Sequence, residues 1–266
     1  MKQAKYVVMN LALLILIAVH VMAQETAEEI MKKSHMAYYY AGDDGVADVS
    51  MKIIDKKGNE RDREFVMFRL DQEDGGNQKY YTYFKKPSDV SRLTFMVYKN
   101  ADANDQRWIY IPAVDLVKQI SADDKNSSFV GSDFSYEDVS GRHWSVDNHS
   151  LVKDSVWNDK PVWVIESIPK AEKDSFARRL SYIDKTTYLP YKELYYGKKD
   201  ILEKEMTAEE IKEVDGIMTI THRTMKDVKK DRITHVIFDN IDYNAGIKDD
   251  LFTERYLMNP PMEFIK

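Results

Sequence analysis

The chain has 266 residues, no cysteine and a formal charge of −6. The missing cysteine excludes disulfides, thiol nucleophiles, thiolate metal sites and a lipid attached at a cleavage-site cysteine. The acidic balance disfavours nucleic acid as a partner and leaves no polybasic membrane patch.

Lys2 and Lys5 open the chain, and Leu11 to Val19 is continuously apolar. This is the charged start and apolar run of a secretory signal, and it is shorter than the roughly 20 residues that cross a bilayer. Val21-Met22-Ala23 places cleavage before Gln24, so residues 1–23 are expected to leave and 24–266 to work, not lipidated, in the periplasm. Losing both lysines takes the charge to −8. No Pro/Gly/Ser-rich linker divides the remainder, which is expected to form a single domain. A domain of that length buries enough apolar surface without disulfides.

Thr26-Ala27-Glu28-Glu29 is a capping box. Ile30, Met31, Ser34, Ala37 and Tyr38 follow at helical spacing, which predicts an amphipathic helix ending near Gly42. After Gly45 the pattern alternates with period two, as in strands with one buried face. Val49, Met51 and Ile53 lead through the turn Asp55 to Asn59 into Arg63–Leu70, a hairpin. Further strands are expected at Lys79–Phe84, Arg92–Tyr98, Arg107–Ile111, Val117–Ile120, Val162–Ile168, Arg178–Asp184, Leu189–Tyr196, Ile201–Thr207, Ile217–Met225 and Ile233–Phe238. The fold class is therefore mainly β with a few helices. Roughly a dozen strands on short polar turns require a curled antiparallel sheet, because flat open sheets of that size are uncommon.

Ser127 to Trp144 does not alternate and reads as a long connection folded back on the sheet. Within it, Ser135 and Asp138 have the spacing to start a short helical turn.

Enzyme signatures are lacking: there is no Gly-x-Ser-x-Gly elbow, P-loop, dinucleotide fingerprint or His-Glu-x-x-His. His35, His143, His149, His222 and His235 lack metal-ligand spacing, and the cluster of His143, Asp147 and His149 reads as a polar loop. Asp133, Glu137 and Asp138 beside Tyr136 have the residue types of an acid/base site. Carboxylates at this spacing also cap turns and pair with an arginine such as Arg142, which is the favoured reading. No metal, cofactor or catalytic residue is assigned.

Seventeen tyrosines, ten phenylalanines and thirteen methionines remain to be placed. Thioethers and ring faces suit a cavity that accepts flexible acyl chains, and they equally suit an ordinary core. A curled sheet of a dozen strands encloses more volume than its own side chains easily fill.

Three runs carry a resemblance: Gln106-Arg107-Trp108-Ile109-Tyr110-Ile111-Pro112, Ser128-Phe129-Val130-Gly131-Ser132-Asp133-Phe134-Ser135-Tyr136-Glu137-Asp138, and Leu251-Phe252-Thr253-Glu254-Arg255. Lys86-Pro87-Ser88-Asp89-Val90 and Glu213-Val214-Asp215-Gly216-Ile217 fit the same pattern. Through these the chain resembles the outer membrane lipoprotein-sorting proteins of the LolA/LolB-like superfamily, in the branch associated with RND-type exporters. Ser91 stands where relatives commonly place glycine. The resemblance implies a half-open antiparallel β-barrel with helices or loops in its mouth around an apolar pocket. It implies lipoprotein or lipid acyl chains as partners, transient membrane contact and no catalysed reaction. Met51, Ile53, Phe65, Met67, Phe95, Trp108, Tyr110, Phe129, Phe134 and Tyr136 are the candidate ligand-binding residues. The loop from Gly131 to Gly141 is the expected lid, with Phe129, Phe134 and Tyr136 as its apolar contacts. The alternative is a periplasmic module that docks on a membrane exporter without lipid cargo, using exposed tyrosines. A hydrolase using Asp133 or Glu137 with Asp138 is the third reading.

Overall fold

The computed structural model describes residues 24–172 and 174–265. The expected signal segment, residues 1–23, lies outside the described residues.

The first helix, α1, spans Ala27–Tyr39. Thr26 Oγ1 accepts from the Glu29 backbone N–H at 3.2 Å, and Glu29 Oε2 accepts from the Thr26 N–H at 2.8 Å, closing the expected capping box. The strands that follow are β1 (Asp44–Ile54), β2 (Glu60–Asp71), β3 (Gln78–Lys86), β4 (Thr94–Lys99), β5 (Gln106–Ile111) and β6 (Leu116–Ile120). A connection carrying the short helix α2 (Tyr136–Ser140) leads to β7 (Asp147–Trp157), β8 (Lys160–Pro169), β9 (Arg178–Asp184), β10 (Pro190–Tyr196), β11 (Leu202–Val214), β12 (Ile217–Asp227) and β13 (Arg232–Tyr243). Helix α3 (Glu254–Met258) follows near the C-terminus.

All thirteen strands form one antiparallel sheet in the order β6-β5-β4-β3-β2-β1-β13-β12-β11-β10-β9-β8-β7. Two meanders are joined where β1 pairs with β13, for example Val49 opposite Phe238. The sheet curls but does not close, because β6 and β7 are both edges. The chain must therefore travel from one edge to the other between residues 121 and 146, and it does so across the open side. That route is why Phe129, Phe134 and Val139 join the core of the concave face with Met51, Ile53, Phe65 and Phe95. Helix α1 fills the rest of the mouth, with Ile30 and Met31 against Ile165 and Ile183 of β8 and β9.

One expected loop is a strand. Asp147 and His149 stand in β7, which the alternation pattern missed because an edge strand with a register shift between Leu151 and Lys153 is mostly exposed on both faces. The segment after β13 packs on the convex face, where Ile247, Leu251, Phe252, Leu257 and Ile265 cover Val66, Phe68, Tyr81 and Met96. Strands β2 to β4 are thus buried on both faces, which explains their continuous apolar runs Phe65-Val66-Met67-Phe68 and Phe95-Met96-Val97.

Candidate functional site: an apolar cavity under the mouth

The crossing segment is fastened at three points. Asp133 is the first: its carboxylate accepts from Arg232 Nε at 2.6 Å and from Thr234 Oγ1 at 2.7 Å, both on β13, while its own N–H donates to Thr234 Oγ1 at 3.0 Å. Helix α2 is the second. Ser135 Oγ accepts from the Asp138 N–H at 3.1 Å and Asp138 Oδ2 accepts from the Ser135 N–H at 2.7 Å, so the expected helical start is present as a full capping box. The third is Lys99 of β4, which donates to the carbonyls of Ser140 and Gly141, each at 2.8 Å. Gly141 has φ +80°, and a Cβ there would come within 2.6 Å of the Tyr39 ring, so the turn onto α1 needs glycine on both counts.

Glu137 completes the charged run. It receives Lys125 at 2.8 Å and Arg142 at 3.2 Å, and Arg142 also grips the buried Asp147 at 2.6 Å and Asp174 at 2.9 Å. Asp133, Glu137 and Asp138 are each committed to a latch, an ion pair or a cap. Of the other cluster, His149 bonds to Ser167 Oγ and the Trp144 carbonyl, each at 2.8 Å, and His143 to Ser145 Oγ at 2.7 Å.

Burial sets the protonation of this region. Desolvation pushes the Lys99 ammonium down to about 8. It also holds His35, whose Nε2 has no partner among the described residues, well below the usual imidazole value, with Lys99 and His143 adding like charge.

Beneath the mouth lies a cavity of about 150 Å³ between α1, β1 to β3, β12 and β13. Its wall is apolar for the most part: Ala37, Val46, Ala47, Met67, Val139, Ile220 and Phe238 face it, and Met218, which is exposed, carries the wall to the surface. Among the described residues no carboxylate is on the wall, but two guanidinium groups are. Arg69 is spent on the backbone, donating to the carbonyls of Tyr39, Ala41 and Gly42 where α1 ends. Arg223 of β12 is buried, donates from Nη1 to the Tyr38 hydroxyl, and leaves Nε without a partner among the described residues. The rings of Phe134, Phe238 and Tyr38 surround it at 4.9, 5.4 and 5.8 Å. Such ring faces return about 2 kcal/mol, against a desolvation cost of several kcal/mol for a buried ion.

The candidate ligand-binding residues divide by face. Met67 is on the cavity wall, and Met51, Ile53, Phe65, Phe95, Phe129, Phe134 and Tyr136 belong to the packed core of the same concave side. Trp108 and Tyr110 point the other way, into the cluster beneath the C-terminal segment, because residues at even positions of β5 face the convex side. Arg223 and Tyr38 were missed. The signal was Arg223 standing at even spacing between Thr219 and Met225, on the face of the strand that points inward.

A family model described as "Uncharacterized protein" matches residues 76–259. No protein of curated function matches the chain. Among solved structures, a DUF1329 family protein from Desulfovibrio piger is 24% identical with a TM-score of 0.81, over 87% of this chain and 97% of that one. A protein described as an outer membrane lipoprotein-sorting domain from Vibrio parahaemolyticus is 25% identical with a TM-score of 0.81, over 87% and 98%. A LolA superfamily protein from Nitrosomonas europaea shares the fold at 16% identity and a TM-score of 0.69, over 87% and 99%. The family model covers more than half of this chain, so the chain belongs to the family that model describes, and it shares the LolA-like fold, a curled, unclosed antiparallel sheet.

Proposed function

We propose that this chain is a periplasmic, non-catalytic carrier that shelters an acyl chain of a lipid or lipoprotein on its way towards the outer membrane. The observation that carries the reading is the apolar cavity roofed by α1 and the crossing segment, with its wall reaching the surface at Met218. Each methylene moved from water into such a wall contributes about 0.8 kcal/mol. A cavity of about 150 Å³ matches the engineered voids that take up one benzene. It therefore receives part of one chain as it stands, and a bulkier cargo requires the roof to lift. Met67 is proposed as a contact in the closed form. The core residues Phe129, Phe134 and Tyr136 become contacts only when the crossing segment moves, which is the lid role expected of it.

No helix among the described residues is long and apolar enough to cross a membrane. An accessory role beside an RND-type exporter is compatible with the same cavity. The test is native mass spectrometry of the protein purified from its own envelope, followed by lipid extraction. A carrier retains acyl-chain mass in the native spectrum, whereas a docking module without cargo comes out bare and would end this reading.

A further inference from the structure

The buried arginines of this chain follow a rule with one exception. Arg63, Arg107 and Arg179 each reach a carboxylate, Asp89 at 3.2 Å, Asp105 at 2.5 Å and Glu193 at 3.3 Å. Arg142 reaches three. Arg223 is 9% exposed and makes no ion pair among the described residues. A guanidinium does not escape burial by losing its proton, so its charge persists in an apolar hollow. Tyr38 supplies one acceptor, three rings supply their faces and the Asp138 carboxylate acts from beyond contact distance, but none of these pairs with the charge directly. Its Nε–H is free among the described residues, as are those of Arg63, Arg107 and Arg179, but only in Arg223 does no carboxylate take up the rest of the guanidinium, so its forked edge is open to an anionic oxygen.

We propose that Arg223 is the headgroup reader of the cavity and that the ligand is an amphiphile with a single anionic head, a carboxylate or phosphate, on an acyl chain. The proposal rests on the carrier reading and adds the class of cargo. The chain's overall negative charge gives such an anion no long-range attraction. The apolar tail drives entry, and the head then finds the guanidinium on the wall that no carboxylate engages, since Arg69 is paired with Asp71.

The test is calorimetric titration of the mature chain, below micelle-forming concentrations, with decanoate, decyl phosphate and decanol. Decanoate or decyl phosphate should bind at least about tenfold more tightly than decanol, the worth of one charged hydrogen-bonded pair. Whichever anion is tighter identifies the source of the head, fatty acid or phospholipid. Arg223→Gln should bring both anions down to the affinity of decanol, and Arg223→Lys should keep part of the preference. Equal binding of decanol and both anions by the unaltered chain would overturn the proposal while leaving the carrier reading intact, and this comparison needs no variant to fold. A preference that survives Arg223→Gln would overturn it as well. Failure of every ligand, decanol included, would remove the cavity reading and this one together.

Discussion

Arg232 Nε donates to Asp133 Oδ1 at 2.6 Å, and the Asp133 side chain has no solvent exposure at all. Thr234 completes the latch from the same strand, two residues along. A cation and a hydroxyl on one face of β13 thus hold the middle of the segment that bridges the two sheet edges. Replacing Asp133 with alanine leaves Arg232, 17% exposed, facing a void. Breaking a buried pair from one side costs about 3–5 kcal/mol, and the partial exposure of Arg232 puts the expected loss near the lower figure. Urea unfolding of Asp133→Ala should show a lower midpoint with an unchanged slope. A midpoint within error of the parent would show that the latch holds nothing.

Filling the cavity separates cargo binding from folding. Ala47 faces it from β1, opposite Met67 of β2. A void that accepts benzene has room for one phenyl ring, so Ala47→Phe should gain about 0.5–2 kcal/mol of stability, as cavity-filling changes commonly do. The same change should reduce the lipid retained in the native mass spectrum severalfold. Full lipid content in a well-folded Ala47→Phe protein would place the cargo elsewhere.

Legibility in the sequence followed exposure. Helix α1 and strand β1 were readable because one face of each is buried and the other is wetter, so polarity marks the period. The capping box at Ser135 and Asp138 was readable because it is local, a matter of three residues. Strand β7 was not, since an exposed edge has no reason to alternate. The C-terminal cover was not, although Phe65-Val66-Met67-Phe68 showed that something lies on both sides of β2. Arg223 is the instructive case. A charge on the inward face of a strand was visible, but its lack of a carboxylate is a property of every neighbouring element at once and needs the packed structure.

Acid should loosen the mouth through His35. Its ring lies in α1 against Tyr39, Tyr40 and His143 at 5.2, 5.4 and 5.1 Å, and burial holds it well below the ordinary imidazole value. The unfolded chain takes up a proton near pH 6.5 that the folded one refuses. The stability due to this group is therefore complete above that pH and is lost as pH falls below it. His35→Phe keeps the ring and discards the titration, so its urea midpoint should fall less than the parent's between pH 7.5 and 5. Parallel falls in the two proteins would assign the acid sensitivity to other groups.

Lys99 should show a slope of the same sign in a separate, alkaline window. Burial lowers its folded value to about 8, against about 10.5 unfolded. Between those values the unfolded chain carries a proton that the folded one has released, so stability rises with pH across the window. The penalty for burying the ammonium is complete below pH 8 and fades towards 10.5. From pH 7.5 to 9.5 the gain comes to about 2 kcal/mol, while the amine keeps donors for the Ser140 and Gly141 carbonyls. Lys99→Met removes both the titration and the two hydrogen bonds. Its stability should be lower than the parent's at pH 9.5, where the parent amine is neutral and still bonded, and the deficit should shrink at pH 7.5. The comparison of the two urea midpoints at each pH decides it. A deficit that stays constant across the window would mean that the ammonium is never displaced from its charge, and that the carbonyls of α2 solvate it as well as water does.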